Sequence, residues 1–264
     1  MPEAIEELKR ILNSRKAAGQ NTVWLSEQNR LLLKGGTLPA RPHPQAAPPA
    51  APEKPLSTPP QPPVFSAVSV KHCDWQELQQ AMLSCHACPL AQTRHNVVCG
   101  NGYPQARLMF IGEGPGADED RQGVAFVGRA GQMLSNMIKA MGFDREANNP
   151  EKGVFIANIV KCRPANNRNP SEQEATACLP FLQRQIELVK PQAIVLLGAV
   201  ALRFLLNKTG ISKCRGIWLE YQGIPVMPTF HPAYLIRFEG QKSFFIGEKR
   251  KVWNDLQLVM ARLK

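Results

Sequence analysis

The feature that most constrains this fold is an alternation of short apolar segments with helical segments, which begins near residue 107. The apolar segments have the length of buried strands, and turns rich in glycine, proline or polar residues follow them. Strands that alternate with helices form βαβ units. We therefore predict an α/β fold with a mainly parallel central sheet. The predicted strands cover 107–112, 154–158, 193–198, 218–221 and 224–229.

Helices are predicted at 130–142, 170–189, 199–206 and 249–263. The second of these contains Pro180. An internal proline removes one helical hydrogen bond and clashes with the preceding turn. We therefore expect a kink or a break at this position.

Three polar residues follow the predicted strands. Glu113, Asn158 and His231 each stand at a strand end or within two residues of one. Open parallel sheets bind their ligands at the carboxyl ends of the strands. Each residue alone has an ordinary structural explanation, but their coincidence indicates a candidate site at this edge of the sheet.

Composition divides the chain into three zones. Residues 1–36 are predicted as a helical extension, because apolar residues recur at helical spacing within 3–18. Residues 37–70 are predicted as a flexible, proline-rich linker, and the stretch up to residue 66 holds eleven of the 23 prolines. Residues 71–264 are predicted as the globular domain.

The chain is basic, with a net charge of +11 and an isoelectric point near 9.5. Residues 71–264 alone carry 24 Lys and Arg against 16 Asp and Glu. Such a balance favours a polyanionic partner, nucleic acid before any other. From charge alone, a generally basic protein without such a partner is an equal alternative.

No segment is predicted to enter a membrane. The longest apolar run, 193–202, is about half of the roughly 20 residues that a spanning helix needs. The first residues are acidic and lack the apolar core of a secretory signal. We therefore expect a cytoplasmic protein whose cysteines are reduced.

Four of the seven cysteines form two pairs. Cys85 and Cys88 are two residues apart, whereas Cys162 and Cys178 form a wide pair. Four thiolates suit zinc or a [4Fe–4S] cluster, although a zinc ribbon more usually supplies two tight pairs. The spacing thus predicts a metal site but leaves the metal open. The remaining cysteines are interpreted as ordinary thiols: Cys73, Cys99 and Cys214.

Three motifs carry the densest chemistry: GEGPGADEDRQGVAFVGRAG from Gly112, NIVKCRPANNRNP from Asn158 and TFHPAYLIR from Thr229. In this order, and with the four cysteines, they resemble the family 4 uracil-DNA glycosylases, the iron–sulfur branch of the uracil glycosylase superfamily. The resemblance covers about residues 83–263 and does not reach residues 1–70. One departure is Gly114, where many relatives carry alanine.

The resemblance implies a fold, a cofactor and an activity. The fold is a three-layer α/β/α sandwich with a central, mainly parallel sheet of four strands. The activity is hydrolysis of the N-glycosidic bond of uracil in DNA, which leaves an abasic site without strand cleavage by a lyase step. The implied [4Fe–4S] ligands are Cys85, Cys88, Cys162 and Cys178.

The resemblance also implies how uracil is bound. Phe126 stacks on the flipped base, and Asn158 hydrogen-bonds its Watson–Crick edge. Glu119 crowds the 5-position, where thymine carries a methyl group. Gly112 and Gly114 contribute backbone to the same site.

The implied catalytic pair is Glu113 and His231. Glu113 orients a water molecule or stabilises the sugar cation with its negative charge. His231 donates a hydrogen bond to uracil O2 as negative charge develops there. The residues expected to contact DNA are Arg129, Arg163, Arg168, Leu235 and Arg237.

The expected partner is uracil-containing DNA, single- or double-stranded, and the expected oligomeric state is a monomer. The helix at 3–18 either docks a replication or repair protein or packs on the globular domain.

Three alternatives stay open at this point. A relative of the same fold traps uracil-DNA covalently through its histidine, but it carries an extra basic loop that the short segment 212–216 lacks. A non-catalytic iron–sulfur DNA-binding module would need none of Glu113, Asn158 and His231. A zinc protein of unrelated function is the third.

Overall fold

The computed structural model describes residues 69–264. The predicted helical extension and the linker up to residue 68 lie outside the described residues. In chain order the elements are α1 (Trp75–Leu83), a 3-10 turn (Pro89–Gln92), β1 (Asn101–Gly102), β2 (Leu108–Gly112), α2 (Ala117–Gln122), α3 (Arg129–Ala140), β3 (Val154–Asn158), a second 3-10 turn (Ala165–Asn167), α4 (Glu172–Val189), β4 (Ala193–Leu197), α5 (Ala199–Leu206), α6 (Ile211–Cys214), β5 (Leu219–Tyr221), β6 (Ile224–Thr229), α7 (Pro232–Ile236) and α8 (Lys242–Arg262).

The sheet has six strands in the order β1-β3-β2-β4-β6-β5. The inner four are mutually parallel, and β1 and β5 pair antiparallel at the two edges. The predicted parallel sheet of four strands is thus confirmed. The strand predicted at 218–221 forms the edge strand β5, and β1 is an added strand at the other edge. The strand at Asn101–Gly102 has no signal in the sequence, because neither residue belongs to an apolar pattern.

The three-layer arrangement follows from burial on both faces of the sheet. Alternate residues of the parallel strands enter two separate cores, as strand geometry requires. One core holds Met109 and Ile111 of β2 against α1, α4 and α5. The other holds Leu108 and Phe110 against α3, α7 and α8. The fold class predicted from the sequence is confirmed.

Two helices differ from the predictions. α4 continues through Pro180 without a break, because buried residues on both sides of the proline, including Cys178 and Phe181, anchor the helix to the core. α8 begins at Lys242 rather than at residue 249, and its first turns carry exposed Phe244 and Ile246, which give no amphipathic pattern. Within residues 69–264, no helix combines the length and apolarity needed to cross a bilayer.

Candidate active site

A pocket of about 490 Å³ opens at the carboxyl ends of the parallel strands. Its walls come from the turns after β2, β3 and β6 and from the start of α3. The fold therefore brings together residues from motifs that are far apart in the chain. The predicted site residues that line the pocket are Glu113, Gly114, Glu119, Phe126, Arg129, Asn158, Arg168, His231 and Arg237.

Gly112 lies directly against the side chains of Asn158 and Phe126. A Cβ atom on Gly112 would lie 2.6 Å from Asn158 Oδ1 and 2.6 Å from the ring of Phe126. Both distances are far below van der Waals contact, so the close approach of ring and amide requires glycine here. The ring of Phe126 also lies near that of His231, with centroids 5.6 Å apart and an interplanar angle of 32°.

Asn158 ends β3 and is 2% exposed. Its Oδ1 atom is buried and has no hydrogen-bond partner among the residues that the structure describes. A buried acceptor without a donor is unfavourable by about 1–3 kcal/mol. The pocket therefore presents an acceptor that a ligand's N–H group would satisfy.

His231 caps the short helix α7, where its Nδ1 atom accepts a hydrogen bond from the amide of Ala233 at 3.1 Å. A neutral imidazole that accepts at Nδ1 carries its proton on Nε2. Burial, together with the positive charge of Arg237, lowers the pKa of His231 to about 4. The side chain is therefore a neutral ring with one N–H group to donate.

Glu113 follows β2 directly and lines the same pocket. Burial raises the pKa of its carboxyl group, and the positive charge of Arg237 partly opposes that rise. Desolvation of this kind is typical of carboxylates in functional clefts. The pocket thus combines a carboxylate, a neutral imidazole donor and a free amide oxygen.

The carboxylate of Glu119 is directed at backbone amides. Its Oε1 atom accepts from the amides of Val127 and Gly128 at 2.8 Å each, and Oε2 accepts from Gly116 at 3.1 Å. The side chain is 9% exposed. Glu119 therefore holds the loop that carries Phe126, a role with no counterpart among the sequence predictions.

The residues predicted to contact DNA divide into two groups. Arg129, Arg168 and Arg237 are exposed and line the pocket, whereas Arg163 is half-buried and lies beside it. Three of the four arginines pair with neighbours: Arg129 with Glu239, Arg163 with Asn167 and Arg168 with Glu174. Leu235 is different, because its side chain is 0% exposed and packs in the core under α7. The prediction that Leu235 faces DNA is wrong for this structure, since helix α7 turns that side chain inward.

The two cysteine pairs meet around one small cavity between α1, the first 3-10 turn and α4. Polar hydrogens point at three of the sulfur atoms. The Ala87 amide lies 3.5 Å from Cys85 Sγ, Arg94 Nη1 lies 3.3 Å from Cys162 Sγ, and the Lys161 amide lies 3.2 Å from Cys178 Sγ. The other three cysteines are half-buried and lie outside this cavity.

Burial raises the pKa of Cys88, Cys162 and Cys178, the last to about 12. Thiolates at these positions therefore need a compensating positive charge, which a bound metal supplies. Four sulfur donors around a shared cavity, with N–H groups aimed at them, fit a cluster held by four thiolates. In the described part of the chain, no three Cys, His, Asp or Glu side chains converge as the ligands of a single metal ion do.

Two buried cations near the site have no signal in the sequence. Lys161 is 2% exposed and donates to the carbonyl of Asn158 and to Gln185. Arg145 binds the backbone around Phe126. Lys161 stands next to the buried residues Val160 and Cys162, whereas Arg145 lies in a polar segment between α3 and β3. The partners of both cations become neighbours only in the folded chain.

The comparisons with known proteins agree with this geometry. The family model described as the uracil DNA glycosylase superfamily matches residues 99–257. A type-4 uracil-DNA glycosylase of Thermotoga maritima is 46% identical over 190 residues, which cover 71% of this chain and 93% of that protein. A type-4 uracil-DNA glycosylase of Sulfurisphaera tokodaii is 45% identical over 168 residues, 60% of this chain and 74% of that protein.

A more distant match is a DNA polymerase of Bacillus phage SP01, 30% identical over 165 residues. The aligned region covers 62% of this chain but only 17% of the polymerase. The similarity therefore concerns one segment of that larger protein.

Proposed function

This chain belongs to the uracil DNA glycosylase superfamily, within its type-4 branch, and on that premise we propose that it hydrolyses the N-glycosidic bond of uracil in DNA. The products are free uracil and an abasic site, as base excision repair requires. The observation that carries the proposal is the convergence of Glu113, Phe126, Asn158 and His231 on one pocket.

The pocket chemistry suits uracil that has been flipped out of the base stack. Extrusion of a base requires a few kcal/mol, and an aromatic face that stacks on it returns roughly 1–3 kcal/mol. We assign that face to Phe126. The free Oδ1 atom of Asn158 accepts the N3–H group of uracil, and its amide nitrogen donates to O4. Cytosine presents the opposite pattern and leaves these groups unpaired, so a polar site of this kind rejects it strongly.

Bond cleavage places positive charge on the sugar and negative charge on uracil. We propose that His231 donates its Nε2 proton in a hydrogen bond to uracil O2, which stabilises the leaving anion without proton transfer. Glu113, as a carboxylate, stabilises the sugar cation or orients the attacking water. Both groups are fixed by the fold before substrate arrives, so reorganisation during the reaction is small.

We propose that selectivity against thymine depends on the position of Glu119. Since both Glu119 oxygens bind amides of the turns around Phe126, we propose that Glu119 fixes the pocket wall that excludes a 5-methyl group. Gly112 and Gly114 supply the thin backbone against which the base lies.

We propose that Cys85, Cys88, Cys162 and Cys178 hold a [4Fe–4S] cluster. Because glycosidic hydrolysis moves no electrons, the cluster supplies a covalent cross-link between the start of the domain and the β3–α4 segment. That segment contains both Asn158 and Cys162. The cross-link would therefore stabilise the strand end from which Asn158 hydrogen-bonds the base.

We propose DNA contacts at Arg129, Arg163, Arg168 and Arg237, which surround the pocket mouth or lie beside it. Binding through such arginines should weaken steeply with salt. A monomer in the cytoplasm is the proposed working form, with residues 3–18 available to dock a replication or repair protein.

A labelled oligonucleotide with one uracil tests the proposal directly. After incubation with the protein, alkali should cut the strand at the uracil, while untreated samples stay uncut because no lyase step is expected. A matched oligonucleotide with thymine is the control. Uracil-containing DNA that survives alkali intact would count against the activity.

Two rivals predict other outcomes of the same assay. A covalent trapping protein would leave a protein–DNA band in a denaturing gel, and a pure binding module would retain the DNA without releasing uracil. The presence of Glu113 and His231 in one pocket favours turnover over a pure binding module, and the short segment 212–216, which has no extra basic loop, argues against covalent trapping.

A further inference from the structure

The loop at residues 123–128 holds Phe126 in an uncommon backbone conformation. Its φ angle is 55°, in the left-handed region that L-residues other than Gly, Asn and Asp rarely adopt. The ring nevertheless has to lie over Gly112 beside Asn158 for the stacking role proposed above. Some other part of the molecule must therefore stabilise this loop.

Arg145, from the segment between α3 and β3, binds the carbonyl side of the loop. Its Nη1 atom donates to the carbonyl of Phe126 at 2.7 Å and to Ser135 Oγ at 3.0 Å. Its Nη2 atom donates to the carbonyl of Ala125 at 2.8 Å. The side chain is 11% exposed, and the rigid guanidinium fork suits two neighbouring carbonyls at once.

Side chains of two other segments bind the amide groups of the loop. Asn101 Oδ1 accepts from the amide of Ala125 at 3.1 Å, and Glu119 accepts from Val127 and Gly128. The peptide groups on both sides of Phe126 are thus bound by side chains of other segments. Among the described residues, Arg145 is the only charged side chain that hydrogen-bonds the carbonyls of Ala125 and Phe126, and it is not part of the pocket lining.

We infer that Arg145 is a positioning residue for base stacking. It holds the Phe126 backbone in the left-handed conformation, so that the ring is in place before the base enters. Preorganisation of this kind improves binding because the ordering is complete before the ligand arrives. The inference rests on the proposed function, because the stacking of uracil on Phe126 is part of that function.

A purely structural Arg145 would stabilise the fold without acting through the ring. A double-mutant cycle separates the two roles. The cycle comprises the wild type, Arg145→Met, Phe126→Ala and the double variant, each as the full chain. The readouts are the single-turnover rate of uracil release, the affinity for an oligonucleotide with a non-cleavable deoxyuridine analogue, and the thermal unfolding midpoint.

If Arg145 acts through the ring, Arg145→Met should lower the rate and the affinity by roughly ten- to a hundredfold, the range of one base–aromatic stack. In the Phe126→Ala background the same substitution should change them by no more than about twofold. The acid limb of the residual rate should persist, because the hydrogen bonds of Arg145 go to the Phe126 loop and to Ser135 and none goes to Glu113.

Arg184→Met is the matched control. Its Nε atom donates to the carbonyl of Cys73 at 2.7 Å, and its side chain is 20% exposed, but it lies outside the pocket lining. It should lower the unfolding midpoint and leave the rate within about twofold of wild type.

Equal losses in the wild-type and Phe126→Ala backgrounds would overturn the inference, as would an unfolding effect without any rate effect. If Arg145→Met does not fold, Arg145→Lys gives the same cycle with one donor retained. A wild type that releases no uracil speaks against the proposed function instead, and the affinity cycle still decides the role of Arg145.

Discussion

The ammonium group of Lys161 donates a hydrogen bond to the backbone carbonyl of Asn158 at 2.8 Å and a second to Gln185 Oε1 at 2.7 Å. The backbone amide of the same lysine points at Cys178 Sγ at 3.2 Å. One residue therefore joins the strand end that carries Asn158 to the proposed cluster site. Burial lowers the pKa of Lys161 to about 8, although the nearby thiols oppose that shift.

Lys161→Met should weaken both stability and excision. The substitution leaves the Gln185 oxygen and the Asn158 carbonyl without their donor, and a buried acceptor that loses a charged donor costs about 1.5–3 kcal/mol. Denaturant unfolding measures that loss, and single-turnover excision measures its effect on Asn158. Lys152→Met is the control, because Lys152 donates to the carbonyl of Gly142 at the exposed surface. Equal stability of the two variants would contradict the role given to Lys161.

The pH profile of excision should have an acid limb set by Glu113. Its pKa is raised by burial, so the active carboxylate is lost as the pH falls, at a higher pH than for an exposed glutamate. His231, with a pKa of about 4, is neutral above that pH and begins to protonate only at the acid end of the tested range. Single-turnover rates between pH 4 and 8 test this order, and Glu113→Gln should remove the acid limb. A limb that persists in Glu113→Gln would assign the titration to another group.

Asn158→Asp should lower the rate of uracil excision by roughly a hundredfold and reduce selectivity over cytosine. The change replaces an amide that both accepts and donates with a carboxyl group in a buried position, so one of the two base contacts is lost or a charge is desolvated. Rates on matched uracil and cytosine oligonucleotides measure both effects. Asn149→Asp is the control, since Asn149 is not part of the pocket lining and its side chain accepts a hydrogen bond from the Lys152 amide. Wild-type rate and selectivity in Asn158→Asp would show that the base is read elsewhere.

Gly131→Ala should displace the Phe126 loop. A Cβ atom at residue 131 would lie 1.9 Å from the Phe126 carbonyl oxygen, so the first turn of α3 and the loop cannot both keep their positions. We expect lower stability and a rate of excision reduced by at least about tenfold, in line with the loss of one stacking contact. Gly247→Ala in α8 meets no atom within 4 Å and should stabilise the protein by about 0.5–1 kcal/mol. A Gly131→Ala enzyme with the stability and excision rate of the wild type would refute this account of the loop.

The purified protein should contain about four iron atoms and about four acid-labile sulfides per chain, as one [4Fe–4S] cluster requires. Cys178→Ala should lose both and should unfold at lower temperature, because the cross-link between α4 and the N-terminal part of the domain is gone. Cys214→Ala, which changes a thiol outside the cavity, should keep its iron. A colourless preparation that contains zinc would support the zinc alternative instead.

The order of strands and helices could be predicted from the sequence because apolar periodicity and turn chemistry are local. The positions of Glu113, Asn158 and His231 at strand ends could be predicted for the same reason, and so could the two cysteine pairs. The sequence motifs that contain these residues together identify the family. The continuous helix through Pro180 could not be predicted, since the packing that stabilises it involves distant segments. The edge strand β1 likewise depends on its pairing with β3.

The tertiary structure alone decided which side chains support the pocket. Arg145 and Glu119 reach the Phe126 loop, Lys161 lies beneath Asn158, and helix α7 turns Leu235 into the core. Hydrogen bonds and burial depend on distances in space, and these partners become neighbours only when the sheet is formed. The sequence by itself thus determined the family and the candidate reacting groups, while the fold determined how their positions are held.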